Sequence, residues 1–230
     1  MDFKLDNVVP WGRSFDEYLK MFNLTETDLK KKILDCAGGP AGFNASMNCL
    51  GNKVISCDPI YQFTAEEINK RIQETAPIIV KGLQTNLEKF VWQKIKSPQQ
   101  LLEVRMAAMN QFLADFHTGK TEKRYLNHQL PNLPFANKNF DLALCSHFLF
   151  TYSDQFSFDF HIAAILELCH VANEVRLFPL LENFTGVDSP YVQEVVNQLK
   201  EKGHEVRIEK VDYEFQKKGN QMLKIYSNTI

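Results

Sequence analysis

Two aspartates, the glycine-rich turn between them and a histidine further along are the residues whose types and spacing suit chemistry. Asp35-Cys36-Ala37 leads into Gly38-Gly39-Pro40-Ala41-Gly42, and Asp58 lies 19 residues beyond Gly39. The apolar residues before Asp35, and Val54-Ile55-Ser56-Cys57 before Asp58, read as short buried strands. Turn and acid then fall at the C-terminal ends of adjacent strands, where open parallel sheets bind ligands. Small residues let a ligand approach the backbone closely. An ionised Asp58 offers two acceptor oxygens, enough for both hydroxyls of a ribose. Asp35 would repel a pyrophosphate seated at the next helix N-terminus and suits a ligand carrying positive charge.

Those residues need a scaffold, and the chain alternates helical and strand-like segments, the pattern of a sheet covered by helices on both faces. Ser14 with Glu17, and Thr64 with Glu67, are capping boxes that open helices over 14–22 and from 64 to about 75. Short helices are expected at 26–32 and 43–50. Thr85 with Glu88 and Ser97-Pro98 with Gln100 mark two more starts, the second running to about Gly119 with an apolar stripe from Leu101 to Phe116. Strands are expected near 124–128, 140–146 and 173–180, with helices at 158–170 and from Ser189-Pro190 to Gly203. His204–Phe215 and Gln221–Ser227, joined by Lys217-Lys218-Gly219-Asn220, should pair as an antiparallel hairpin. The expected organisation is one domain over 1–230, with a helical cap at 1–30 and a helical insertion at 77–123.

Composition narrows the class. The 230 residues are 44% hydrophobic and 23% charged, enough chain to bury a core without staples. Five cysteines without CxxC spacing indicate neither a disulfide framework nor a zinc site, so no metal is expected. The N-terminus lacks the pattern of a secretory signal and no apolar run can cross a bilayer, which points to the cytoplasm and away from membranes. A net charge of −2 exerts no general pull toward nucleic acid.

Leu34-Asp35-Cys36-Ala37-Gly38-Gly39-Pro40-Ala41 resembles the first motif of the class I S-adenosylmethionine-dependent methyltransferases. Asp58 matches the acid that ends their second strand. Leu133-Pro134-Phe135 followed by Asn139-Phe140-Asp141-Leu142 resembles the approach to their fourth. The resemblance spans about residues 30–228 apart from the insertion. It implies a Rossmann-like α/β three-layer sandwich, with a mostly parallel seven-stranded sheet ending in an antiparallel hairpin. It also implies S-adenosylmethionine as cofactor, held by Asp35, Ala37, Gly38, Gly39, Asp58, Pro59, Gln129, Cys145 and Arg13. Arg13 would pair with the methionine carboxylate, with Trp11 and Tyr18 closing the pocket. Ala37 and Ala41 stand where the family has glycine, and Asn127-His128-Gln129 replaces its adenine-binding aspartate.

The acceptor is expected to be a small molecule, reached past the end of the fourth strand at Cys145-Ser146-His147-Phe148. His147 either takes a proton from the acceptor as a catalytic base or is a histidine hydrogen-bonded at a strand end. The N/D-P-P-Y/F signature of nitrogen methylation is absent there, and Asp58-Pro59-Ile60-Tyr61 imitates it on another strand. Two alternatives stay open. Lys30-Lys31-Lys32 with Lys120, Lys123 and Arg124 could form a basic rim for RNA or protein modification. The GGPAG turn also resembles that of flavin-dependent oxidoreductases, which leaves a flavin or nicotinamide enzyme.

Overall fold

Seven strands form a single sheet in the computed structural model, which describes residues 8–228. Residues 1–7, the start of the expected cap, lie outside that range. The strands are β1 (Ile33–Cys36), β2 (Val54–Cys57), β3 (Tyr125–Leu126), β4 (Phe140–Ser146), β5 (Ala172–Phe178), β6 (Glu205–Lys210) and β7 (Gln221–Tyr226). Their order across the sheet is β3-β2-β1-β4-β5-β7-β6. β1 to β5 run parallel, while β7 is antiparallel to both β5 and β6. Strand order reverses between β1 and β4, whose C-terminal ends therefore border the crevice.

The period-2 alternation of side chains sorts the sheet into two faces. Leu34, Cys36, Ala143, Cys145, Val175 and Leu177 pack beneath α6 (Phe158–Val171) and α7 (Val192–Glu201). Ile33, Leu142 and Leu144 face α1 (Phe15–Met21) and α3 (Phe43–Cys49), against Tyr18, Phe22, Phe43 and Met47. These helices are cut by local chemistry. Ser14 caps α1, Glu17 returning to its backbone N–H at 2.9 Å. A second short helix, α2 (Glu26–Leu29), is capped in the same way by Thr25.

The expected insertion is a helical hairpin of α4 (Ala65–Gln84) and α5 (Pro98–Thr121). Here the sequence-based bounds need correcting. α4 carries Pro77 in its interior and continues to Gln84, held by Ile79 and Leu83, which pack on Phe90 and Leu101. Thr85 does not open a helix: its hydroxyl donates to the Lys81 and Gly82 carbonyls and it ends α4. Ser97 caps α5 as expected, accepting from the Gln100 N–H at 3.1 Å. Met109, Phe112 and Phe116 of α5 pack with Tyr61 and Tyr125.

The hairpin is shorter than its sequence pattern. β6 ends at Lys210, and residues 211–220 leave the sheet for the α4–α5 connection. Phe215 stacks on Phe90 at 5.1 Å between ring centres, and its carbonyl accepts the Val91 N–H at 2.8 Å. Among the described residues no helix is long and apolar enough to cross a membrane.

Candidate functional site

A cavity of about 890 Å³ opens above the C-terminal ends of β1, β2, β4 and β5. One wall is the turn after β1, with Cys36, Ala37, Gly38, Gly39, Asp58 and Pro59. Ala37 has φ +56° and Gly39 φ +55°. The left-handed conformation costs an alanine roughly 1–2 kcal/mol, strain of the kind that collects at functional loops. A Cβ on Gly39 would meet nothing within 4 Å, so this part of the turn is open.

Asp58 supports the turn from the end of β2. Its Oδ2 accepts the Gly39 N–H at 2.9 Å and its Oδ1 the Ile60 N–H at 2.8 Å. Tyr61 donates its hydroxyl to the Gly39 carbonyl at 2.7 Å, so the Asp58-Pro59-Ile60-Tyr61 segment clamps Gly39 from both sides. That accounts for the Asp-Pro-Ile-Tyr string without any role in nitrogen chemistry. Each carboxylate oxygen retains a lone pair, and Asp58 lines the cavity. Burial raises its pKa to about 6 against the opposing pull of the two backbone donors.

Asp35 is elsewhere. Strand alternation turns it away from Cys36, toward α1, where Tyr18 donates to Oδ1 at 3.0 Å and Ser56 to Oδ2 at 3.1 Å. It is 1% exposed and does not line the cavity. A Cβ on Gly38 would meet Asp35 Oδ2 at 2.3 Å, so the carboxyl supports the turn from beneath. The reading of Asp35 as a direct cofactor ligand is therefore corrected to that of a support. Burial raises its pKa to about 7 despite the two hydroxyl donors. Tyr18, its partner, is likewise buried away from the cavity it was expected to close.

Cys145 needs the same correction. Alternation along β4 buries it in the core beneath α6, outside the cavity wall, and burial pushes its thiol up to about 12. His147, two residues on, does line the cavity, with φ +50°. Its backbone N–H donates to the Phe178 carbonyl at 2.6 Å, and its Nδ1 is 2.9 Å from Ser146 Oγ. Burial, with Arg13 and Arg105 nearby, holds its pKa well below the ordinary histidine value. A proton taken there would create a third cation beside two others, so His147 suits a neutral hydrogen-bonding group better than a general base.

Arg13, Trp11, His128, Gln129 and Tyr152 also line the cavity, whereas Ser153 is turned into a contact with Ser189. The Arg13 carbonyl accepts the Gly42 N–H at 3.0 Å, which seats this N-terminal segment on the glycine-rich turn. The Arg13 guanidinium donates to the Trp11 carbonyl, and its Nε has no hydrogen-bond partner among the described residues. Burial and the neighbouring Arg105 lower its pKa to about 10, which leaves it charged at neutral pH. Much of the remaining wall is aromatic, with Phe90, Phe148, Phe156, Phe160, Phe184 and Phe215.

Two wall residues escaped the sequence reading. Arg105, on the buried stripe of α5, pairs with Glu17 of α1 and donates to the Tyr213 hydroxyl at 3.3 Å. A lone cation four residues from both Leu101 and Met109 was the available signal. Tyr213 completes the triangle by donating to Glu17 at 2.8 Å; no local pattern marks it. The proposed basic rim does not border the cavity. Lys31 pairs with Asp28 and Glu174, Lys32 bonds Asn139, and Arg124 pairs with Asp115 and Glu122. None of the six basic residues lines the cavity wall.

A mostly parallel sheet with this strand order, its antiparallel seventh strand inserted between β5 and β6 and its turn and acid at β1 and β2, has the class I methyltransferase fold. No family model matches the chain. It is 35% identical over 220 residues to the uncharacterized protein MJ0045 of Methanocaldococcus jannaschii, covering 95% of this chain and 96% of that one. The chain belongs to the same family as that protein. Among solved structures it is similar to a SAM-dependent methyltransferase from Aquifex aeolicus, with 17% identity, 92% of each chain covered and a TM-score of 0.43. It is also similar to magnesium protoporphyrin IX methyltransferase from Synechocystis PCC 6803 with bound SAM, with 12% identity, 88% and 73% covered and a TM-score of 0.46.

Proposed function

We propose that this chain transfers a methyl group from S-adenosylmethionine to a small-molecule acceptor held in the aromatic half of the cavity. The observation that carries the reading is Asp58: a cavity-facing carboxylate at the end of β2, bonded to the glycine-rich turn and with lone pairs free for ribose hydroxyls. The residues present fit the cofactor. Gly39 leaves the turn open, Pro59 and Gln129 line the cavity where they would flank an adenine, and the unpartnered Arg13 Nε suits a carboxylate.

When bound, the cofactor supplies an electrophilic methyl carbon on a sulfonium. Arg13, Gly39, Asp58, Pro59 and Gln129 would hold the cofactor, leaving that methyl to a nucleophilic acceptor in the aromatic part of the cavity. The chain's part is alignment and exclusion of water. Phe148, Phe156 and Phe160 wall the chamber at the end of β4, and neutral His147 offers the acceptor a hydrogen bond. A small acceptor is favoured over RNA or protein because the chamber is roofed by α4, α5 and residues 211–220, and because Lys30, Lys31, Lys32, Lys120, Lys123 and Arg124 do not border it. Five free cysteines, four of them buried, suit a reducing compartment such as the cytoplasm.

Calorimetry with S-adenosylmethionine and S-adenosylhomocysteine is the test. Micromolar binding of both is the expected result, and binding of neither at high micromolar concentration refutes the reading. Yellow protein, or uptake of flavin or nicotinamide in its place, would promote the oxidoreductase alternative.

A further inference from the structure

The inner end of the cavity carries more positive charge than its own partners neutralise. Arg13 and Arg105 both line it, and Glu17 is the carboxylate that meets them. Burial alone would raise the Glu17 pKa, but Arg105 bonds it and brings it down to about 2, so it is ionised and already committed. Tyr213 stays neutral, its hydroxyl pushed up to about 12 by burial and by Glu17. His147 adds no negative charge. Arg105 is 1% exposed, and the Nε atoms of both arginines lack a hydrogen-bond partner among the described residues. A buried, unpartnered guanidinium N–H is costly, and a ligand anion is the natural acceptor for it.

S-adenosylmethionine, taken as cofactor on the reading above, does not remove the excess. Its carboxylate can answer Arg13, but its ammonium and sulfonium leave it cationic overall. Asp58 at the ribose end offsets one charge, and Arg71 and Glu74 at the α4 side of the cavity offset each other. The loaded pocket is still positive. Arg105 also belongs to the acceptor side. It lies one turn beyond Leu101, which packs with Phe90 and Phe184, and it holds Tyr213, two residues before Phe215.

We propose that the acceptor is a small aromatic carboxylate, its ring against the packed Phe90–Phe184–Phe215 cluster where that cluster lines the cavity and its carboxylate on Arg105. The carboxylate is an anchor rather than the methylated atom, because a guanidinium draws electron density from an oxyanion and blunts it as a nucleophile. This inference rests on the methyltransferase reading for the reaction, but the anion site itself stands on the two arginines.

The experiment is a calorimetric titration of the whole chain with 2-naphthoate, 2-naphthamide and 2-naphthylmethylamine, with and without saturating S-adenosylhomocysteine. The carboxylate should bind about tenfold or more tighter than the neutral amide, the scale of one charged hydrogen bond, and the amine weakest. Arg105→Lys keeps the charge against Glu17 but removes the Nε donor, and it should reduce that preference severalfold. Equal binding of the three naphthalenes by the native chain overturns the proposal whether or not the variant folds. So does a preference that survives undiminished in folded Arg105→Lys. If S-adenosylhomocysteine fails to bind while the carboxylate preference holds, the anion site stands and the methyltransferase reading falls.

Discussion

Asp58→Ala separates a ribose-binding acid from one that merely braces a loop. The native carboxylate is placed for both jobs, since Oδ1 and Oδ2 accept the Ile60 and Gly39 N–H groups at 2.8 and 2.9 Å while Asp58 lines the cavity. Losing a charged hydrogen-bond acceptor for the sugar costs about 1.5–3 kcal/mol, or roughly 10- to 150-fold in affinity. The two released N–H groups add a separate stability cost of about 1–3 kcal/mol, at the lower end because water reaches this half-buried site. Calorimetry with S-adenosylhomocysteine reads the first quantity and urea unfolding the second. Asp58→Asn is the control. Its amide can accept only through oxygen, so it keeps one backbone contact and puts an NH₂ group where the other acceptor stood. It should recover part of the stability but little of the affinity. A folded Asp58→Ala protein that binds within about twofold of the native affinity refutes the assignment of Asp58 to the ribose.

Cofactor affinity should climb as pH rises from 5 to 7 and then level, because Asp58, with its pKa raised to about 6, must ionise to accept both hydroxyls; a flat profile over that window contradicts it. The unliganded fold should move the other way. Asp35 and Asp58 titrate near 7 and 6 in the fold against an ordinary aspartate value of 3.8, so the native state holds the extra protons and their contribution declines between about pH 4 and 7, as urea midpoints would record. Asp35→Asn should unfold within about 1 kcal/mol of native, since Ser56 can turn its hydroxyl to accept. Asp35→Ala strands two buried hydroxyls and should cost about 2–4 kcal/mol by denaturant titration. Gly38→Ala drives a methyl to 2.3 Å from Asp35 Oδ2 and should lower stability by about 1–3 kcal/mol; a variant as stable as the native chain would show that Asp35 gives way easily.

The strand–turn–strand–acid core was legible because each of its parts is a local pattern. Apolar runs end at glycine or at Asp58-Pro59, and Ser14, Thr64 and Ser97 announce their helices three residues ahead. The cap pattern misled at Thr85, where the same spacing ends a helix. A threonine hydroxyl can satisfy carbonyls behind it as readily as N–H groups ahead. Asp35 and Cys145 were misplaced because sequence proximity to a turn says nothing about which face of the strand a side chain takes. Arg105 and Tyr213 are 108 residues apart. Their meeting at Glu17 is tertiary, and only the oddity of a cation on an apolar stripe hinted at it.

Residues 211–220 descend from the far edge of the sheet to touch the α4–α5 connection, and the segment before α1 lies between them and the glycine-rich turn. The floor proposed for the nucleoside is thus made by strand ends, and the ceiling proposed for the acceptor by the α4–α5 hairpin and residues 211–220, ribbons outside the sheet. On the methyltransferase reading, mutational drift in those ribbons would reshape what is methylated without disturbing how the methyl donor is gripped. Relatives of this chain with different acceptors should accordingly diverge around 78–105 and 213–219 while keeping Arg13 and the stretch from Asp35 to Tyr61.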